Sequence, residues 1–253
     1  DARGTPRWRA EDMDPRVYAL ARASQQLLGH VGAWDRIAEA RAAPYRRMRV
    51  WEGTDAYAAS ALDFDAADIG EPDLGHIVED TLLRSVLVER LAASREAQIV
   101  IGAEIESVEA HASEVVVALK DGGSLRGAVL LAADGSDSTV RRLSGLPVAG
   151  HRYEQNAVVT HVTSAGDHQS TAWQRFLPGG PLALLPVTDG RSSIVWSLPT
   201  ADAERLLAAS DDEFLAELGA ASAGVIGELT ACSQRVAFPL QALHALKYTA
   251  QRV

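Results

Sequence analysis

Apolar side chains recur at helical spacing in two long segments of the chain. Residues 24–40 carry one such stripe, so a helix with one inward face is predicted there. Residues 77–95 carry another, with charged side chains on the remaining positions, and predict a longer helix. A further helix is predicted to begin at Ser210, because Ser210 and Glu213 have the spacing of a capping box. The stripe of the first helix is formed by Leu27, Leu28, Val31, Trp34 and Ile37.

Short apolar or alternating segments between turn residues predict strands. Before residue 150 these segments are 48–51, 61–64, 98–101, 104–110, 114–119 and 125–133. The turn sequence Lys120-Asp121-Gly122-Gly123 predicts a hairpin between the last two. After residue 150 the segments are 158–162, 172–177, 182–187, 193–198 and 233–240. Because Gly, Pro and Asp turns separate these segments, an antiparallel sheet is predicted in the second half of the chain.

Composition narrows the class of protein. The 253 residues carry a formal charge of −10, and lysine occurs only at positions 120 and 247, which argues against a nucleic-acid-binding surface. A single cysteine, Cys232, excludes an internal disulfide framework and is expected in the core of a protein from a reducing compartment. No apolar run reaches the ~18–20 residues of a membrane span. We therefore expect a cytoplasmic protein, attached to a membrane at most peripherally.

The sequence lacks the motifs of several enzyme classes. The seven histidines include no pair spaced for zinc with an intervening glutamate, so no metal site is predicted. A Gly-x-Ser-x-Gly nucleophile elbow and a Walker-type phosphate loop are both missing from the sequence. Neither hydrolysis nor phosphoryl transfer is therefore predicted.

The segment from Leu130 to Arg142 carries the most specific chemistry. An apolar strand is predicted to end at Asp134-Gly135 and to lead into a short helix. Gly135 can adopt the backbone angles of a tight turn, and the first N–H groups of the helix are then free to contact an anion. Asp134 could hold a hydroxylated chain. The alternative interpretation is a surface turn in which Ser136 caps the helix.

The spacing Asp134-Gly135-x-x-Ser138-x-x-Arg141 resembles the second fingerprint of the flavin-dependent aromatic hydroxylases, the class A monooxygenases. Other blocks resemble the ubiquinone-biosynthesis branch of that family, and the bacterial 2-polyprenylphenol hydroxylases in particular. These blocks include residues 14–20, Met48-Arg49-Val50-Trp51-Glu52, residues 74–80, residues 193–199 and Phe238-Pro239-Leu240.

The resemblance implies a para-hydroxybenzoate-hydroxylase-like fold of mixed α/β (α+β) class. It assigns residues 1–42 and 76–148 to a partial FAD-binding lobe and residues 43–75 and 149–240 to a substrate-binding lobe built on an antiparallel sheet. Residues 241–253 would return toward the FAD lobe. The sequence contains no Gly-x-Gly-x-x-Gly fingerprint and no later Gly-Asp block in the family's position, so we expect a chain truncated at both ends. Gly166-Asp167-His168 is expected to be a loop.

The activity that the resemblance implies is FAD- and NAD(P)H-dependent hydroxylation of the aromatic ring of a polyprenylated phenol in ubiquinone biosynthesis. It also implies a bacterial protein that can lie at the inner face of the inner membrane, within a complex of ubiquinone-biosynthesis proteins. The chain by itself is expected not to retain FAD. Two alternatives stay open, which are a soluble aromatic substrate and a non-catalytic module that binds a lipid or a partner protein.

The same resemblance implies the site residues, and it names no catalytic side chain. The expected cofactor-binding residues are Arg16, Glu79, Asp134, Gly135 and Arg141. Arg16 would contact the flavin phosphate or ribose, with a surface salt bridge as the alternative.

Three further assignments carry a structural alternative. Glu79 would contact the flavin, or would only stabilise the start of its helix. His76 and Trp196 would line the substrate ring site, although an aromatic residue on a strand is more often part of the core.

Overall fold

A computed structural model describes residues 5–253, which divide into two compact units. The large unit consists of Pro6–Ala93 and Glu154–Leu240, and the small unit of Thr5 with Ser94–Tyr153 and Gln241–Val253. Residues 6–42 and 76–93 group with the antiparallel sheet in this division, whereas the sequence assigned them to the cofactor lobe. The division into a cofactor lobe and a substrate lobe stays a prediction.

The helices and strands alternate along the chain. The helices are α1 (Arg22–His30), α2 (Trp34–Arg41), α3 (Asp80–Ala93), α4 (Thr139–Leu143), α5 (Thr200–Ala208) and α6 (Asp211–Ala221). The first eight strands are β1 (Val17–Ala21), β2 (Ala42–Tyr45), β3 (Arg47–Glu52), β4 (Leu62–Asp65), β5 (Gly75–Glu79), β6 (Ile105–Ala110), β7 (Val115–Leu119) and β8 (Ser124–Gly127). The others are β9 (Val148–Ser164), β10 (Thr171–Leu177), β11 (Gly180–Pro186), β12 (Ser192–Pro199), β13 (Leu229–Cys232) and β14 (Val236–Ala245).

The main sheet has the strand order β13-β9-β12-β11-β10-β3-β4, with β14 also paired to β9. The described pairings are antiparallel except for that of β10 with β3. Helices α5 and α6 bury their apolar side chains against one face of this sheet. The core beneath them contains Trp51, Trp173, Trp196, Phe214 and Leu218. The predicted antiparallel sheet and the capping box of Ser210 and Glu213 are both confirmed.

The opposite face of the main sheet is mostly apolar and partly exposed, and the exposed Glu52 lies on it opposite Phe176. Side chains alternate along a strand, so residues next to Trp196 in sequence point away from the helices. Val195 pairs with Ala183, Ala183 with Gln174, and Gln174 with Val50. We call this surface the open face; its members are Met48, Val50, Leu62, Phe64, Gln174, Phe176, Ala183 and Val195, all partly or largely exposed.

A second sheet in the large unit has the order β1-β5-β2 and is antiparallel. The predicted helix 24–40 is two helices, α1 and α2, because Gly32 adopts a φ of +68° between them. The predicted helix 77–95 starts only at Asp80, since the preceding residues form β5, which pairs with strands on both sides. Strands β1 and β2 were not predicted. The core between these elements contains Leu28, Ile37, Val78, Leu82 and Val86.

The small unit contains the antiparallel sheet β6-β7-β8, and the predicted hairpin turn between β7 and β8 is confirmed. The predicted strand 125–133 is wrong after Gly127. There the ladder ends, and the Leu130 amide donates a hydrogen bond to the carbonyl of Arg252 (2.8 Å). Leu131 is 84% exposed. The segment 98–101 is not a strand either.

The described residues also bear on membrane crossing, metal binding and thiol chemistry. Within residues 5–253 no helix is both long and apolar enough to cross a bilayer. Nowhere in that range do three His, Cys, Asp or Glu side chains gather as they would around a metal ion. Cys232 is partly buried against the main core, and burial raises its thiol pKa, so it is not poised as a nucleophile.

Candidate functional site

The Asp134-Gly135 turn of the small unit is organised by the carboxylate of Asp134. Gly135 has a φ of +89°, and apart from its chain neighbours no atom of residues 5–253 lies within 4 Å of where its Cβ would be, so the backbone is accessible. The two oxygens of Asp134 accept hydrogen bonds from the Ser138 hydroxyl and from the amides of Thr139 (2.7 Å) and Val140 (3.1 Å). The Ser138 hydroxyl in turn accepts the amide of Arg141 (3.0 Å).

These bonds correct one expectation from the sequence. The first N–H groups of α4 are not free to contact an anion, because Asp134 and Ser138 already accept them. Ser138, and not Ser136, caps the helix. Burial pushes the pKa of Asp134 upward, but the hydrogen bonds from Ser138 and the amides outweigh it and bring the pKa below its usual value. The guanidinium of Arg141 has no carboxylate within salt-bridge distance among the described residues.

Arg16 immediately precedes β1 in the large unit and is exposed. Its guanidinium lies 5.5 Å from the ring centroid of Tyr18 and 5.9 Å from that of Phe238. No acidic side chain in residues 5–253 forms an ion pair with it, so the salt bridge considered from the sequence is absent there. A cation held against two rings and lacking a carboxylate partner can accept an anionic ligand.

The structure places Glu79 differently from either sequence interpretation. Glu79 is the last residue of β5, not part of a helix, and only 4% of its surface is exposed. One oxygen accepts the Trp8 indole N–H (3.3 Å) and lies 3.2 Å from the Arg41 guanidinium; the other accepts the Asp14 amide (2.7 Å). Burial raises its pKa. Because both oxygens are engaged inside the unit, the structure does not support a direct cofactor contact.

His76 and Trp196 lie on different sheets of the large unit. The His76 imidazole packs edge-on to Trp34 with the ring centroids 4.9 Å apart, and burial lowers its pKa. Trp196 belongs to the core beneath α5 and α6, which was the alternative interpretation, and its indole N–H has no hydrogen-bond partner among the described residues. The neighbours of Trp196 on the open face are better placed to meet a ligand than Trp196 itself.

Sequence reasoning missed the groups that hold the Arg16 segment. Asp14 uses its amide, its carbonyl and both carboxylate oxygens in hydrogen bonds to other residues. His161 is buried on β9, and no sequence pattern sets it apart from the other six histidines. The Asp14-Pro15 dipeptide is a turn signal that could have drawn attention to this loop. The contact with His161 joins residues 147 positions apart, and no local pattern reveals it.

Comparison with known proteins gives a consistent family. A family model described as "FAD binding domain" matches residues 6–253. The chain is 32% identical over 235 residues to the 3-demethoxyubiquinol 3-hydroxylase of Escherichia coli (strain K12), covering 93% of this chain and 59% of that protein. It is 34% identical over 223 residues to the mitochondrial ubiquinone biosynthesis monooxygenase COQ6 of Danio rerio, covering 83% and 45%. The chain thus spans about half the length of these relatives.

Solved structures share the fold. A probable FAD-dependent monooxygenase from Pseudomonas aeruginosa, PqsL, superposes with a TM-score of 0.72 at 21% identity, covering 96% of this chain and 68% of that one. The p-nitrophenol 4-monooxygenase PnpA of Pseudomonas putida DLL-E4 gives 0.70 at 18% identity, covering 96% and 62%. The mixed α/β class and the aromatic-hydroxylase-like fold predicted from the sequence are confirmed.

Proposed function

Since this chain belongs to the FAD-binding domain family, we propose that the protein is an FAD- and NAD(P)H-dependent monooxygenase acting on a polyprenylated phenol in ubiquinone biosynthesis. Its similarity to ubiquinone-biosynthesis hydroxylases supports this choice over a soluble aromatic substrate. Bound FAD would supply the redox chemistry of ring hydroxylation, and the chain's own residues would bind and orient the ligands and exclude water.

The observation that carries the proposal is the environment of the Arg16 guanidinium. Its guanidinium is exposed, lies near two aromatic rings and lacks an acidic partner in the described part of the chain. These properties fit a phosphate or ribose group of FAD, because a guanidinium donates several hydrogen bonds in one plane to oxygen acceptors. The small unit offers its own candidate contacts: Gly135 leaves the backbone of its turn accessible, and Arg141 has no acidic partner among the described residues. Neither Glu79 nor any catalytic side chain is part of this assignment.

The open face is the proposed wall of the substrate site. Leu62, Phe64 and Phe176 are each about half exposed there, and Val50, Ala183 and Val195 lie between them, partly exposed. Such a surface suits a prenyl tail, because burying apolar area stabilises a complex by about 25 cal/mol per Å². A tail of this kind is delivered from a lipid phase. We therefore extend the proposal to peripheral contact with the cytoplasmic face of a bacterial inner membrane, near other proteins of the pathway.

The proposal includes weak cofactor retention by the 253-residue chain alone. The helix donors of α4 are already satisfied by Asp134 and Ser138, so they add nothing to phosphate binding in this arrangement. No Gly-x-Gly-x-x-Gly sequence supplies a second set of donors. The purified chain should therefore carry much less than one equivalent of flavin by visible absorbance, and one equivalent would contradict this part.

The cofactor assignment is tested by FAD titration of the full-length protein. Arg16→Ala should raise the FAD dissociation constant about tenfold to a hundredfold, because a charged hydrogen bond is lost. Arg36→Ala is the matched control: Arg36 is also exposed, but its partner is Glu89, 3.2 Å away. Equal effects of the two substitutions would remove Arg16 from the cofactor site, and absence of FAD binding by the unmodified protein would end the proposal.

The substrate assignment is tested by hydrogen exchange with a prenylated phenol. Peptides covering β10, β11 and β12 should be protected by the prenylated compound and much less by the same phenol without its tail. Val195→Asp should abolish the protection, because a charge would replace an apolar contact on the open face. Protection that does not depend on the tail would place the lipid elsewhere.

A further inference from the structure

Two buried titratable side chains, which the proposed function leaves without a role, converge on one short loop. The loop is Asp14-Pro15-Arg16, and it carries the guanidinium assigned above to the cofactor. Glu79 contacts it from β5, and His161 contacts it from β9 of the main sheet. Glu79 is 4% exposed and His161 is 2% exposed, so solvent competes with neither contact.

The contact from Glu79 fixes the start of the loop. Its carboxylate accepts the Asp14 amide at 2.7 Å, while Trp8 and Arg41 hold the other oxygen. Glu79 also ends the strand that pairs with β1, and the next amide, that of Asp80, donates to the Arg16 carbonyl (3.0 Å). The residue that anchors Asp14 is therefore adjacent to the one that anchors Arg16.

The contact from His161 fixes the other side of Asp14. Nε2 of the imidazole lies 2.9 Å from the Asp14 carbonyl oxygen. A carbonyl can only accept, so Nε2 carries the proton and donates. The remaining nitrogen, Nδ1, is buried and has no partner among the described residues, as expected for a neutral ring with this tautomer.

Asp14, which both side chains contact, is in turn hydrogen-bonded to Arg16. Its carboxylate accepts the amide of Arg16 (2.9 Å) with one oxygen and the amide of Thr81 (3.0 Å) with the other. With its amide and carbonyl also bonded, Asp14 is held by hydrogen bonds at both backbone groups and at both carboxylate oxygens. The residue between Asp14 and Arg16 is Pro15, and its ring fixes the backbone angle φ at that position.

We propose that Glu79 and His161 are positioning residues that clamp Asp14 from two sides and so hold the Arg16 guanidinium against Tyr18 and Phe238, ready for an anionic group. This inference rests on the proposed role of Arg16. It gives both buried groups a function without direct contact to the cofactor.

The first test is a double-mutant cycle on FAD affinity in the full-length protein. Glu79→Leu and His161→Leu should each weaken FAD binding about tenfold. The same substitutions should have almost no further effect in an Arg16→Ala background, because they act through Arg16. Retention of the full tenfold effect in that background would overturn the proposal, since a general structural defect acts regardless of Arg16.

Rescue and control variants separate positioning from folding. His161→Gln should largely restore affinity, because its side-chain amide can replace the Nε2–H donor. His168→Leu is the matched control: its Nε2 also meets a carbonyl, that of Val187 at 3.2 Å, on a different loop. His168→Leu should leave FAD affinity unchanged, and a loss equal to that of His161→Leu would contradict the assignment.

A second measurement does not depend on FAD. Hydrogen exchange of the Asp14, Arg16 and Thr81 amides should become at least about tenfold faster in Glu79→Leu and His161→Leu, and should not change in His168→Leu. Unchanged exchange would refute the clamp. If the unmodified protein bound no FAD, the proposed function would fail, and the exchange result alone would still decide whether Glu79 and His161 hold this loop.

Discussion

The carboxylate of Asp134 accepts the hydroxyl of Ser138, and that hydroxyl accepts the amide of Arg141. Through these bonds and those from the amides of Thr139 and Val140, the Asp-Gly fingerprint caps the start of α4. Asp134 is thereby fixed in orientation, with its remaining hydrogen-bonding capacity beside the accessible backbone of Gly135. The fingerprint has a structural role in this arrangement, and any role in cofactor binding must be compatible with it.

Asp134→Ala should lower FAD retention of the full-length protein by about tenfold to a hundredfold, because it removes both a charged acceptor and the cap that orders the turn. Asp189→Ala is the matched control. Asp189 also follows the Asp-Gly turn pattern, and its carboxylate holds the side chain of Arg191 (2.7 Å). FAD titration of both variants decides the matter, and equal losses would reduce Asp134 to an ordinary turn residue.

Trp196→Ala should lower the free energy of unfolding by about 3–5 kcal/mol, because it leaves a large cavity beneath α5 and α6. Val195→Ala, one position away on the open face, should cost under about 1.5 kcal/mol because that side chain is already partly exposed. Urea unfolding of the two variants measures the difference. A larger cost at Val195 would mean that the two faces of the sheet are wrongly assigned.

Gly75→Ala should lower the free energy of unfolding by about 1–3 kcal/mol. A Cβ at this position would lie 2.2 Å from the carbonyl oxygen of Leu20 on the paired strand β1, so the strands would have to separate. Gly29→Ala in α1 meets no atom within 4 Å and should instead stabilise by about 0.5–1 kcal/mol. Thermal unfolding of both variants provides the comparison, and a neutral Gly75→Ala would contradict the strand pairing.

His161 should make stability depend on pH below neutrality. Burial holds its folded-state pKa below the usual 6.5; the facing groups that modify it are Asp14, Arg191 and Asp189. The unfolded state therefore takes up the proton first, and the free energy of unfolding should fall as the pH drops below about 6.5. Urea unfolding between pH 7.5 and 5 should show this slope, and His161→Gln should make it less steep, the remainder being expected from His76, whose pKa burial also lowers. An identical slope in the variant would assign the effect to another group.

The sequence determined the elements whose patterns are local. The hairpin at Asp121-Gly122, the capping box at Ser210 and most strands of the main sheet were predicted because turn residues and alternation act over a few positions. The family was also accessible from the sequence, since six blocks in one order are improbable by chance. Gly135 was correctly expected to adopt a turn conformation, with a φ of +89°.

Tertiary structure decided what local patterns leave open. The sequence could not distinguish Trp196 in the core from Trp196 on a substrate wall, because alternation does not say which face the helices cover. It placed Glu79 in a helix, since β5 is recognisable as a strand only once β1 and β2 flank it. The contact of His161 with Asp14 joins positions 147 residues apart. Such long-range contacts fix the environment of Arg16, and they exist only after the chain has folded.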